Sequence, residues 1–95
     1  MADLRNGWKI TLSDYKFDEV IDEYESTNTK VIDCVDKNDA KLKSDKIIEE
    51  CKSKKGFKEY KYNNDGSITY MYKEKKVSTK TSLFITNNGK GIKKW

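Results

Sequence analysis

The triplet Glu59-Tyr60-Lys61 sets a carboxylate and an ammonium two residues apart, the E-x-K half of a metal-dependent nuclease signature. With an upstream carboxylate from Asp33, Asp36 or Asp39, such a set would hold Mg²⁺ while the lysine steadies a hydroxide. Its specificity is poor. With 16 acidic and 20 basic residues in 95, acid-x-base spacings arise by accident, and Glu74-Lys75-Lys76 is another. Asp36-Lys37-Asn38-Asp39 begins like a calcium loop, but Ala40 stands where a third ligand belongs and Lys41 where glycine would turn the chain. That segment reads as a strand end leading into a helix cap. The chain has no histidine, so the commonest general base, the usual triads and most zinc sites are missing. No glycine-rich phosphate loop occurs, since Gly89 and Gly91 belong to a turn with too little chain after it for a helix. Cys34 and Cys51 are too distant for a CxxC motif, and one pair is too few to define a disulfide framework. They read as free, buried thiols in a reducing cytoplasm; one disulfide in an exported protein is the rival reading. The sequence therefore offers no catalytic residue, no metal site and no cofactor, and the expectation is binding without chemistry.

The elements that would display a binding surface follow from periodicity. Residues 1–95 are about one domain by length. Charged residues (38%) outnumber hydrophobic ones (35%), which leans toward disorder, but 12% aromatics and regular apolar spacing argue for a folded core. Met1 to Ile10 contain no apolar run of signal-peptide length, and nowhere do about eighteen apolar residues follow one another, so neither secretion nor membrane spanning is expected. Trp8, Ile10 and Leu12 alternate with polar residues and predict a strand. Phe17, Val20, Ile21 and Tyr24 recur at i, i+3, i+4, i+7 after Ser13, which predicts a helix over 14–25. Residues 30–35 are rich in β-branched side chains and predict a second strand.

A second helix is expected from a cap at Asn38 or Asp39, through Leu42, Ile47 or Ile48 and Cys51, to Lys52, Lys54, Lys55 and a terminal Gly56. Phe57–Tyr62 and Ser67–Lys73 flank Asn63-Asn64-Asp65-Gly66, a type I turn closed by glycine. That turn sets Tyr62 opposite Ile68, Tyr60 opposite Tyr70 and Lys58 opposite Tyr72. A further strand over 79–86 and the Asn88-Gly89 turn bring Ile92 near Ile85. The resulting class is α+β, with the order β-α-β-α-β-β-β and a possible last short strand. Two helices pack on one face of a mostly antiparallel sheet of four to six strands.

Charge is segregated along the chain. Residues 1–50 carry 8 basic and 13 acidic residues, a net of −5, and residues 51–95 carry 12 and 3, a net of +9. Such asymmetry points to a charged partner more than to a requirement of folding. Asp14, Asp18, Glu19, Asp22, Glu23 and Glu25 would line one helix with only Lys16 to balance them. This surface could dock a basic protein or imitate nucleic acid, the plain alternative being a solvated face. Lys58, Lys61, Lys73, Lys75, Lys76 and Lys80 interleave with Tyr60 and Tyr72 in the C-terminal sheet, as single-stranded nucleic acid would require. The same tyrosines could instead be core. Arg5 is the only arginine, so bidentate reading of guanine is not expected. Lysine supplies 19 of the 20 basic residues, Asn is abundant and Pro absent, usage typical of an AT-rich genome such as that of a low-GC bacterium or its phage. Together these readings make the chain a small cytoplasmic protein-binding inhibitor or adaptor. The second expectation is a sequence-tolerant nucleic-acid binder.

Overall fold

The computed structural model describes residues 7–92, leaving Arg5, Lys93, Lys94 and Trp95 outside the described residues. Its elements are β1 (Trp8–Asp18), β2 (Glu23–Asp33), α1 (Lys37–Ser53), β3 (Phe57–Tyr62), β4 (Ile68–Glu74), β5 (Val77–Asn87) and β6 (Lys90–Gly91). All strands join one antiparallel sheet in the order β2-β1-β5-β4-β3, with β6 paired to the end of β5. Two helices were expected on this sheet; among the described residues there is one, and the expected helix over 14–25 is instead the end of β1, a tight reversal and the start of β2.

The reason lies in what each alternative satisfies. As a helix, residues 14–25 would stack Asp14, Asp18 and Asp22 at i,i+4, where like charges repel. As a hairpin, the segment continues the Trp8, Ile10, Leu12 alternation into ten residue pairs with β2, from Lys9 opposite Asp33 to Asp18 opposite Glu23. On its other side β1 pairs with β5 from Trp8 to Lys16. A central strand hydrogen-bonded along both edges outweighs one weak helical stripe.

The helix that does form is capped two or three residues earlier than expected. Asp36, not Asn38 or Asp39, is the N-cap, and its carboxylate accepts the Asp39 N–H at 2.8 Å. Asp39 reaches back to accept the Val35 N–H at 2.9 Å and pairs with Lys43 at 3.0 Å. Ala40 and Ser44, one turn apart and buried, let α1 approach the sheet; Ile47, Ile48 and Cys51 continue the contact. Leu42, expected in the apolar stripe, is exposed.

Pairing registers stack the core into rows beneath α1. One row runs Ile32, Ile10, Ile85; the next Lys30, Leu12, Leu83, Ile68, Tyr62; a third Asn28, Asp14, Thr81, Tyr70, Tyr60. The first row is wholly aliphatic, the second is apolar at its centre and ends on Lys30 and Tyr62, and the third carries Asp14 and Thr81 at its centre. The β3–β4 turn forms as its residues predict. Asn63 N–H donates to the Ser67 carbonyl at 2.9 Å, Gly66 adopts φ 94°, and Tyr62 and Tyr60 face Ile68 and Tyr70. One expected pair fails. Phe57, not Lys58, faces Tyr72, because a bulge between Phe57 and Glu59 leaves Lys58 unpaired on the edge. Asn88 and Gly89 turn the chain into β6, and the Ile92 N–H reaches the Ile85 carbonyl at 2.8 Å.

Candidate functional site

The acidic residues sit on a hairpin finger. The turn between β1 and β2 is Glu19-Val20-Ile21-Asp22, with Val20 92% and Ile21 48% exposed. The Asp18 carboxylate accepts the Val20 N–H at 2.9 Å, and Asp22 takes the left-handed φ of 55° that closes the reversal. Behind the tip, Phe17 and Tyr24 face each other across the strands, ring centroids 5.1 Å apart and edge to face. From β5, the Lys80 ammonium lies 3.8 Å from the Tyr24 ring centroid. On the opposite surface of the finger Lys16 faces Glu25, but Asp18 faces Glu23, a like-charge pair that costs stability. Beside the finger is a depression of about 570 Å³ lined by Asp18, Glu19, Glu25, Lys16 and Lys76 among others. Asp14 is not part of this display. It lies in the third core row, where its carboxylate accepts the Thr81 hydroxyl at 2.8 Å.

The tyrosine ladder divides at β3. Tyr70 and Tyr72, on β4, are buried. Tyr60 and Tyr62, on the edge strand, are 43% and 68% exposed and pack edge to face at 5.6 Å. Lys52, from the last turn of α1, holds its ammonium 4.5 Å from the Tyr60 ring centroid. Where α1 ends and β4 turns into β5, Lys54, Lys55 and Lys75 line a depression of about 420 Å³ together with Tyr72, Glu74 and Thr79. Lys58 projects from the bulge next to it in sequence, and Lys73 donates its N–H to the Gly56 carbonyl at 2.8 Å. Gly56 is required there, since at its φ of 86° a Cβ would stand 3.0 Å from the Lys73 carbonyl oxygen.

Among the described residues no ion pair joins the two charge sets, although Lys76 lines the depression beside the finger's carboxylates. Between described residues the ion pairs are Lys9–Asp33 and Lys43–Asp39, both within the acidic half of the chain. No described ion pair joins the finger's carboxylates to the lysines of β3, β4 or β5.

A third depression, about 390 Å³, lies under the second half of α1, lined by Leu12, Asp14, Lys30, Cys51, Tyr72 and Thr81 among others. Burial pushes the Tyr70 and Tyr72 hydroxyls up, and the buried Tyr72 hydroxyl sits against Cys51 and Thr81 without a well-formed hydrogen bond to either. Both cysteines are free, and burial raises both thiols, the opposite of what a reactive cysteine needs.

The nuclease constellation is not assembled. Glu59 and Lys61 lie on β3 and Asp33 on β2, opposite edges of the sheet and four strand spacings, roughly 19 Å, apart. Asp36 and Asp39 are engaged in capping α1. Among the described residues no group of three or more His, Cys, Asp or Glu could hold a metal ion, and no helix is long and apolar enough to cross a membrane. No protein-family model, curated protein or solved structure matches the chain.

The sequence missed Val20 and Ile21 as surface residues because they were placed in a helical stripe. The signal that could have found them was Asp18 and Asp22, turn-favouring residues that bracket the reversal. Tyr72, read as a candidate contact, is core, and Lys80 is spent on bracing Tyr24.

Proposed function

We propose that this protein is a non-enzymatic binding module that engages a protein partner through the β1–β2 finger. The carrying observation is the tip itself, a valine 92% exposed at the end of a hairpin whose backbone is fixed by Asp18 and Asp22. Turn tips favour Gly, Asn, Asp, Ser and Pro because their geometry asks for left-handed or side-chain-bonded backbone. Val20 and Ile21 do nothing for that geometry, and leaving Val20 in water forgoes roughly 1.5–3 kcal/mol of burial, half-exposed Ile21 roughly half as much. A partner that covers them recovers this energy. The neck adds selectivity, because Asp18, Glu19, Asp22, Glu23 and Glu25 surround the apolar tip with carboxylates. The complementary surface is an apolar pocket rimmed by Lys or Arg, whose cations would also relieve the repulsion between Asp18 and Glu23. Phe17, Tyr24 and Lys80 stiffen the finger, so less ordering entropy is lost on docking.

The test is affinity capture from an extract of the native host, comparing the wild-type chain with the Val20→Asn, Ile21→Asn double variant. Both should show the same folded circular dichroism spectrum, and a specific protein should be retained by the wild type alone. Equal retention by the double variant would move the contact elsewhere and end this reading.

A further inference from the structure

We infer that the flank formed by β3 and the C-terminal turn of α1 binds single-stranded nucleic acid without sequence preference. This does not rest on the finger, which belongs to a different hairpin. Three observations converge on the flank. First, residues 51–62 and 73–76 contain eight lysines against two glutamates, Glu59 and Glu74. None of the eight is in a described ion pair, and Lys52 and Lys54 stand over the Tyr60 and Tyr72 rings, so a phosphate backbone meets no competing carboxylate in a described ion pair with them. Second, topology gathers these lysines around the β3 edge and the β4–β5 reversal, with Lys61 and Lys73 on the face opposite Tyr60 and Tyr62 and Lys76 also lining the depression beside the finger. Lys52, Lys54 and Lys55 end α1, Lys58 and Lys61 ride the edge strand, and Lys73, Lys75 and Lys76 come from β4 and its turn. Third, the strand carries exposed rings among them. Tyr62 offers an open ring for a base, Tyr60 braces it edge to face, and Lys52 stands over Tyr60 where it can meet the adjoining phosphate.

The chemistry selects the occupant. An acidic peptide would satisfy the lysines but has no flat π-face for Tyr62, whereas an unpaired base stacks on the ring, its own phosphate meets Lys52 over the neighbouring Tyr60, and the following nucleotides carry the backbone toward the lysines at the Phe57 end. A duplex hides its base faces and is the poorer ligand. Lysine presents a point charge, and no described arginine is there to read a guanine edge, so DNA and RNA of any sequence share the recognition. From Tyr62 back to Phe57 the strand covers roughly 17 Å, and its Phe57 end lies near the depression between Lys54, Lys55 and Lys75, an electropositive landing for backbone several nucleotides beyond the stacked base.

Fluorescence anisotropy with labelled oligothymidylate, oligouridylate and a duplex of equal length tests this. Both single strands should bind more tightly than the duplex, with affinity falling steeply as salt rises. Tyr62→Ala, and Tyr60→Ala with Tyr62→Ala, should weaken binding roughly tenfold while leaving the salt dependence intact. Lys54→Glu with Lys55→Glu should weaken it and flatten that dependence. The Val20→Asn, Ile21→Asn variant should bind oligonucleotides like the wild type, which separates this surface from the finger. Wild-type affinity in the Tyr62 variant, or displacement of the oligonucleotide by polyglutamate as readily as by unlabelled single strand, would overturn the inference in favour of plain polyanion or acidic-protein binding.

Discussion

Two hairpins of the same sheet end in four-residue stretches of opposite character. The β3–β4 turn, Asn63 to Gly66, is tied down by its own side chains. Asn63 donates to the Ser67 and Thr69 hydroxyls at 3.0 and 2.8 Å, Asp65 accepts from the Ser67 N–H and hydroxyl at 2.8 and 2.6 Å, and Gly66 supplies the left-handed residue. The β1–β2 turn, Glu19 to Asp22, has one such bond, from Val20 N–H to Asp18, and presents two aliphatic side chains to water. One reversal is fixed by its own side chains, and the other leaves two aliphatic side chains in solvent. Local chemistry at a turn thus distinguishes a structural corner from a presented surface even where both connect antiparallel strands.

That contrast can be broken by substitution. The largest effect should come from Gly66→Val, which forces a β-branched residue to φ 94° and should cost about 1–3 kcal/mol in urea unfolding. If the loss is negligible, the β3–β4 turn is not the anchor described. An intermediate effect should appear at α1, the element between the two hairpins. The Val35 N–H, and next Lys43, hold the Asp39 carboxylate below its usual range, so its contribution is complete above pH about 4 and disappears as pH falls through the lowered value. In Asp39→Asn the thermal midpoint should lose that segment of its acid dependence; an unchanged profile would remove Asp39 from the helix start. The smallest effect should be at the finger tip, where Val20→Asn with Ile21→Asn should alter stability by no more than about 0.5 kcal/mol. A larger loss would make the tip structural and erase the contrast.

How legible each hairpin was in the sequence has the same origin. Asn63-Asn64-Asp65-Gly66 names its turn, and the Tyr60, Tyr62, Ile68, Tyr70 alternation admits one register, so that pairing was readable. The finger was not. Phe17, Val20, Ile21 and Tyr24 are symmetric about a midpoint between Val20 and Ile21, and that spacing fits a helical stripe and a hairpin equally well. Only the long pairing of β1 with both β2 and β5 decides between them, and strand order is not written in local pattern. For the same reason the tyrosines could not be sorted into core and surface. Tyr60 and Tyr62 are exposed because β3 is an edge strand, Tyr70 and Tyr72 buried because β4 is not. The bulge at Lys58 and the β4–β5 reversal, with Lys75 at φ 56°, carry no turn residue to announce them. The lysines were visible as a set, but their gathering at one flank came from topology.

The place of β5 between β1 and β4 has a consequence for biosynthesis. The strand that joins the two hairpins is translated after both of them, and its pairing with β1 bridges segments more than sixty residues apart in sequence. A nascent chain lacking residues 77–87 holds two unconnected ribbons, each with an open edge, and a hairpin alone is marginal in water. Closure of the sheet therefore waits for β5 to leave the ribosome, and until then the molecule depends on its abundant charge to stay apart from its neighbours.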